Sequence, residues 1–218
     1  MGTSARTRAA AEGGALVRIA VLDYGIGNLR SAEKALQHVG GDAALTSDVK
    51  EIQNAAAVVL PGVGHFGTCM KALRSSGLEG PAWSAITAGK PFMGICIGMQ
   101  MLFEGSDEDA ITSGMGVLPG KVRLLPEGVK RPQMQWNVLN IRDDSPMFAG
   151  LEQPLWMYFV HSYAPATVEH VVATCDYGGD IVAAVQRDNL WATQFHPEKS
   201  GGPGLQVLAN FVAATAAA

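Results

Sequence analysis

Pro91-Phe-Met-Gly-Ile-Cys-Ile-Gly-Met-Gln100 is a short apolar run that stops at a cysteine, with Gly94 two residues before Cys96 and Gly98 two after. The pattern predicts a strand that turns sharply into a helix, a nucleophile elbow that lifts one side chain to the edge of a sheet. Flanking glycines tolerate a strained backbone and let neighbouring chain approach closely. At a helix start the thiol meets unpaired N–H groups and the positive end of the helix dipole, which favour thiolate. Taken alone, the run is equally compatible with a small buried hydrophobe, which most free cysteines are.

The balance shifts at Trp191-Ala-Thr-Gln-Phe-His196-Pro197-Glu198, where a strand-like run ends in a histidine, a proline and a carboxylate. A cysteine nucleophile needs a neighbour that takes its proton and returns it to a leaving group, and imidazole titrates in the right range. A carboxylate on the far ring nitrogen fixes the tautomer and stabilises the imidazolium. Pro197 keeps His196 extended. Cys96, His196 and Glu198 are therefore the candidate catalytic residues.

Working outward, Arg18-Ile-Ala-Val-Leu-Asp23 reads as a buried strand, followed by the loop Tyr24-Gly-Ile-Gly-Asn28 and a helical pattern from Leu29 to Val39. Ala55 to Leu60 is a second apolar run, closed by Pro61-Gly62-Val63-Gly64, and helical patterns follow at Phe66 to Ser76 and Pro81 to Ala88. Strands alternating with helices predict an α/β fold with a doubly wound, mostly parallel sheet flanked by helices. After Met101 the segments read as β: Lys121 to Leu125, Trp136 to Ile141, Trp156 to Tyr163, Val171 to Cys175, Ile181 to Gln186 and Leu190 to Phe195. They predict a mixed second half. A last helix is expected at Leu205 to Ala214. In an open α/β sheet the ligand crevice lies outside the carboxyl ends of the strands, where Gly25, Gly62, Cys96 and, if its strand runs parallel, His196 all fall.

The chain has 218 residues, 48% hydrophobic and 17% charged, enough for one substantial α/β core. One domain is expected over 18–214, with 1–17, rich in Ala, Gly and Arg, as a disordered leader and 215–218 as a tail. A net charge of −4 argues against nucleic acid or an anionic membrane surface as the main partner. Three cysteines, Cys69, Cys96 and Cys175, with no C-x-x-C pair, suggest neither a disulfide framework nor a zinc site, so no metal is expected and a cytoplasmic location is the simplest. No apolar stretch reaches the length of a membrane span, about 18 residues. Gly25-x-Gly27 lacks the third glycine of the dinucleotide fingerprint and no Walker loop is present, so no cofactor is expected.

Together, the elbow cysteine, His196-Pro-Glu198 and Leu60-Pro-Gly-Val-Gly64 resemble the triad (class I) glutamine amidotransferases, whose sheet is flavodoxin-like. One branch fits best. Asp23-Tyr-Gly-Ile-Gly-Asn-Leu-Arg-Ser31, Pro61-Gly-Val-Gly-His-Phe-Gly67, Gly94-Ile-Cys-Ile-Gly-Met-Gln100, Phe159-Val-His-Ser-Tyr-Ala164 and Gln194-Phe-His-Pro-Glu-Lys-Ser200 are similar to the glutaminase subunits of imidazole glycerol phosphate synthases. The likeness runs from about Arg18 to Phe211. Relatives serving anthranilate or GMP synthesis usually carry a histidine where Met99 stands and a different loop in place of Pro61 to Gly64.

The resemblance implies hydrolysis of glutamine to glutamate and ammonia, with Cys96 attacking the side-chain amide, His196 protonating the departing ammonia and Glu198 orienting His196. It implies oxyanion donors from Gly62, Val63, Gly64 and the amide of Ile97, with Val63 as a moving part gated by the partner. Gln100, Glu108, Ser162 and Tyr163 correspond to contacts with substrate glutamine, although Glu108 by itself reads as part of a solvated acidic loop and Gln100 as a buried hydrogen-bonding residue. The implied partner is a (β/α)8-barrel cyclase in a heterodimer, which receives the ammonia for histidine biosynthesis and faces Asn28, Trp136 and Lys199. The chain departs from the branch at Pro132-Gln-Met-Gln-Trp-Asn137, where Gln133 replaces a histidine and Gln135 a glycine near the expected interface. Three rivals remain at this stage: a glutaminase for another synthase, a stand-alone γ-glutamyl cysteine hydrolase, and a non-catalytic module on the same fold.

Overall fold

The structure, a computed structural model, describes residues 17–142, 144–167 and 169–217. The first half alternates β1 (Arg18–Leu22), α1 (Leu29–His38), β2 (Asp42–Thr46), α2 (Val49–Asn54), β3 (Ala57–Gly62), α3 (Phe66–Ser75), α4 (Glu79–Thr87), β4 (Phe92–Cys96) and the single-turn α5 (Ile97–Gln100). The second half carries β5 (Gly105–Ser106), β6 (Asp109–Ser113), β7 (Lys121–Leu124), β8 (Gln133–Val138), β9 (Asn140–Ile141), β10 (Trp156–His161), β11 (Tyr163–Ala166), β12 (Val171–Asp176), β13 (Asp180–Arg187) and β14 (Leu190–Thr193). Short 3-10 turns lie at Pro146–Phe148 and Pro197–Lys199, and α6 (Gly201–Ala217) closes the fold.

Among the described residues, eight strands form one sheet in the order β2-β1-β3-β4-β14-β13-β12-β9. The run from β2 to β14 is parallel and the last three pairings are antiparallel. β3 and β4 are buried along their whole length, as expected of parallel strands covered on both faces. α1 packs beside α6, and Trp191 on β14 meets Phe211 on α6 edge-on at 5.7 Å. On these packed faces sits the core of the α/β architecture. No helix among the described residues is long and apolar enough to cross a membrane.

The structure differs from the sequence reading in several places. β2 and α2 were not expected: β2 is a half-buried edge strand with little alternation, and α2 is a short helix whose signal lies in its cap. Asp48 Oδ1 there accepts from the N–H groups of Lys50 at 2.7 Å and Glu51 at 3.3 Å. The β segments of the second half do not form one mixed sheet. β9, β12, β13 and β14 extend the main sheet, while β11-β7-β5-β6 and the β8–β10 ribbon stand apart. The single strand expected from Trp156 to Tyr163 breaks at Ser162, and its two halves belong to different sheets. The expected leader lies outside the described residues except for Val17, which packs on the core and accepts from Asp42 N–H at 2.9 Å. Helix α6 continues through most of the expected tail, because Thr215 is buried and turns its hydroxyl back to the Phe211 carbonyl at 2.8 Å.

Around the elbow the constraint is steric. A Cβ on Gly98 would collide with the Leu60 carbonyl oxygen of β3, and one on Gly62 would lie 2.7 Å from Gly98 N. A Cβ on Gly94 would lie 2.9 Å from Gly98 O and 3.0 Å from Met99 N. None of these three glycines has a positive φ; the strained residue is Cys96 itself, at φ 56 and ψ −113. Backbone strain of this kind costs on the order of 1–3 kcal/mol and persists only where packing over-determines it. Gly98→Ala is expected to destabilise the fold by about 3 kcal/mol, because the obstacle is backbone and cannot rotate away; urea denaturation would measure it, and a loss below about 0.5 kcal/mol would contradict the packing described.

Candidate active site

The parallel register carries the site. β3 pairs Gly62 with Cys96, and β14 pairs Thr193 with Ile95, so the Gly62 loop, Cys96 and the segment leading to His196 leave the sheet at one edge. They open onto a cavity of about 450 Å³ lined by Asn28, Val63, Gly64, Cys96, Ile97, Gln100, Glu108, Ser162, Tyr163, His196 and Lys199, together with Pro132, Val160 and His161. That volume is ordinary for a small-molecule site. Of the residues singled out in the sequence, three do not line it: Gly62 packs against Ile97 and Gly98, Glu198 lies behind His196, and Trp136 sits on β8.

Cys96 is 3% exposed and turns at the head of α5, which is only one turn long. The expected helix dipole is therefore reduced to the local N–H groups of that turn. His196 Nδ1 meets Glu198 Oε1 at 2.8 Å, with both side chains almost fully buried. Nε2 and Glu198 Oε2 have no hydrogen-bond partner. Burial works to lower the His196 pKa, but the Cys96 sulfur and the Glu198 carboxylate together hold it up at about 9. Nε2 forms no hydrogen bond to the sulfur in this state; catalytic hydrogen bonds often tighten only when substrate is bound.

The backbone of His196 is pinned from two sides. Its N–H donates to Tyr158 O on β10 at 3.0 Å, and its carbonyl accepts from Ser200 Oγ at 2.6 Å, while Ser200 Oγ accepts from Tyr158 N–H at 3.0 Å. Gln100 spends its amide donors on Tyr163 O at 2.9 Å and Gln194 Oε1 at 3.0 Å, leaving its own Oε1 without a partner. Glu108 is not the solvated loop residue its surroundings in sequence suggest: its Oε2 accepts from Phe66 N–H at 2.7 Å, capping the start of α3.

Sequence reasoning missed Gln194, Ser200 and His161. Gln194 is fully buried and points its Nε2 at Cys96 Sγ, 3.8 Å away; its signal was a lone amide inside an apolar run. His161 lines the cavity and donates from Nδ1 to Tyr163 O at 2.8 Å. Burial lowers its pKa to about 4, and the nearby His196 charge works in the same direction. The ring is neutral, so its unpartnered Nε2 is an acceptor. The two glutamines that depart from the branch pattern near the expected interface are placed differently. Gln133 is fully buried beside Cys175, whereas Gln135 is exposed.

Comparison with known proteins identifies the family and the fold. The family profile described as "Glutamine amidotransferase class-I" matches residues 20–215. The chain is similar to the protein named "Imidazole glycerol phosphate synthase subunit HisH" from Methanothermobacter thermautotrophicus, 49% identical over 89% of this chain and 97% of that protein. It is also similar to those of the same name from Caldanaerobacter subterraneus, 47% identical over 88% and 96%, and Geobacter sulfurreducens, 44% identical over 90% and 98%. Among solved structures, PurLQS from Thermotoga maritima superposes with a TM-score of 0.73 at 21% identity, covering 92% of this chain and 99% of that one. A protein from Thermoplasma acidophilum described as a "putative gmp synthase subunit a protein" superposes at 0.70 with 19% identity, covering 94% and 96%. These two likenesses concern the fold.

The raised pKa fixes a sign. Because the folded value of His196 lies above its ordinary 6.5, the protonated ring contributes stability that is fully present below pH 6.5 and is lost as pH rises through about 9. Nitrogen NMR of the imidazole is expected to show titration near 9 in the native chain. In Glu198→Gln, which removes the adjacent negative charge, the midpoint is expected to fall by about one unit or more; an unchanged midpoint would mean that Glu198 does not act on the ring.

Proposed function

The chain belongs to the class-I glutamine amidotransferase family, and from that premise we propose that it is the glutaminase subunit of an imidazole glycerol phosphate synthase in histidine biosynthesis. The observation that carries the mechanism is that Cys96 and His196 line one cavity, with Glu198 behind the histidine. Cys96 Sγ attacks the side-chain carbonyl carbon of glutamine, and its proton resides on His196. The tetrahedral oxyanion is held by N–H groups of the Gly62-Val63-Gly64 loop and of Ile97, each worth on the order of a hundredfold in rate. His196 then protonates the departing ammonia, leaving a thioester on Cys96. Water, deprotonated by the same imidazole, releases glutamate and restores the thiol.

Substrate recognition follows from the atoms left over. Glu108 has one oxygen committed to Phe66 N–H and the other available for the α-ammonium of glutamine. The free Oε1 of Gln100 and the segment at Ser162 and Tyr163 lie across the same cavity.

Ammonia has to be used before it escapes to solvent, and the surface beside the cavity supports a docked cyclase in a heterodimer. Met134 and Trp136 on β8 and Trp156 on β10 are about half exposed or more, and Trp136 stacks edge-on with Tyr158 at 6.0 Å. Val160, two residues from Tyr158 on the same ribbon, lines the cavity, as do Asn28 and Lys199. An apolar ribbon of this kind beside a reactive site fits a partner surface.

The test is glutamate release from glutamine by the purified chain, alone and with a histidine-pathway cyclase carrying its ligand. Strong stimulation by the liganded cyclase is expected; brisk turnover alone, indifferent to cyclase, would establish a stand-alone hydrolase instead. Cys96→Ser is expected to lower kcat by about 10⁴ or more without weakening the complex. Trp136→Ala is expected to raise the Kd for cyclase by about thirtyfold, measured by calorimetry, with little effect on any unstimulated turnover.

A further inference from the structure

The loop proposed to hold the oxyanion is itself held, from the side away from the cavity. Strand β1 ends at Leu22 and its last pairing with β3 is Val21 with Val59, so the carbonyl of Pro61 lies beyond the ladder. The Tyr24 hydroxyl reaches it at 2.7 Å, supplying the donor that a longer β1 would have given. Two residues on, the carbonyl of Val63 accepts from the Cys69 thiol at 3.2 Å, and Cys69 is completely buried on α3. Tyr24 is also buried, and it neighbours Cys69. The two carbonyls belong to the peptides Pro61–Gly62 and Val63–Gly64, which flank the Gly62–Val63 peptide. A trans peptide points its N–H opposite to its C=O. Tying the Val63 carbonyl down to the core therefore turns the Gly64 N–H to the other side of the loop, where Gly64 lines the cavity. Gly64 permits this because it sits at φ 93 with nothing within 4 Å of where a Cβ would be.

We propose that Tyr24 and Cys69 are positioning residues that anchor the Pro61–Gly64 loop by its two flanking carbonyls and so keep its N–H groups aimed at the oxyanion. The proposal rests on the reading of this cavity as a glutaminase site. Both donors stay protonated at working pH. Burial raises the Cys69 thiol to about 11, and burial followed by the neighbouring Cys69 raises the Tyr24 phenol further still. The arrangement leaves the central peptide as the single unit free to rotate, which confines the motion expected at Val63 to one place.

The experiment compares Cys69→Ala, Cys69→Ser and Tyr24→Phe in the full chain with the liganded cyclase present. Loss of either anchor is expected to lower kcat on glutamine about tenfold, a fraction of what a whole oxyanion donor is worth, with KM within about twofold of the native chain. Cys69→Ser, which keeps a donor, is expected to recover most of the rate. Packing alone would not distinguish serine from alanine in this way, so equal losses in both, or native kcat in Cys69→Ala, overturn the proposal. Amide hydrogen exchange provides a readout that needs no turnover. Val63 to Phe66 are expected to exchange about tenfold faster in Cys69→Ala, equivalent to about 1.4 kcal/mol, while β1, β3 and β4 stay protected; equal exchange would refute the anchor. Should the native chain itself release no glutamate, the glutaminase reading fails, and exchange alone decides the anchor.

Discussion

No atom fits between Gly98 and the carbonyl oxygen of Leu60. That contact draws the first turn of α5 onto the end of β3, and it can form only if β4 stops abruptly at Cys96 and reverses through a positive φ. The strain belongs to the nucleophile, and the glycines on either side supply the room. A cysteine held in this way has no freedom to retreat into the sheet, and its thiol is presented beside the Gly62 loop in ladder register. Much else near the site answers to the same approach: Gly62 and Gly94 are small because Gly98 is close, and the adjoining cavity takes its floor from the turn they permit.

Around that floor the polar groups are held by a few buried hydrogen bonds, each with a mechanical effect. Ser200 and Tyr158 tie the His196 backbone to the β8–β10 ribbon, so the histidine is attached to the same element that carries the exposed Trp136 and Trp156. Gln100 and Gln194 bond to each other beneath the thiol and bridge the elbow to the segment before His196. Glu108 caps α3 where the Gly64 loop enters it, joining a substrate-facing carboxylate to the loop. Of the buried polar atoms without partners, His196 Nε2, His161 Nε2 and Gln100 Oε1 belong to residues that line the cavity and Glu198 Oε2 lies behind His196, while Gln133 Oε1 and Thr174 Oγ1 lie elsewhere. Buried polar atoms are normally paired, so the three on the cavity fit a polar ligand there.

The elements with strong periodicity were legible without coordinates. β1, β3, β4, β14 and the helices α1, α3 and α4 lie within a residue or two of where apolar runs and Gly-Pro punctuation put them. β2 was lost because an edge strand with one half-buried face carries almost no alternation, and the β10–β11 break was lost because Ser162 interrupts an otherwise continuous β pattern. Cys96, His196 and Glu198 stood out through residue types at elbow and strand-end positions. Gln194 and Ser200 did not, since one is an amide and the other a serine, whose part in the site depends on what lies across from them.

The sequence by itself determined the parallel strands β1, β3 and β4, where the elbow turns, and which reactive side chains follow strand ends, because those properties depend on neighbours a few residues away. Only the tertiary structure decided that β14 lies against β4, so that residues 100 apart in the chain share one cavity, and that Gln133 turns inward while Trp136 faces out. It alone showed Tyr24 and Cys69 gripping the two carbonyls of the Gly62 loop. Such facts rest on contacts between distant segments, whose register is set by the summed packing of the whole core and leaves no local mark on the chain.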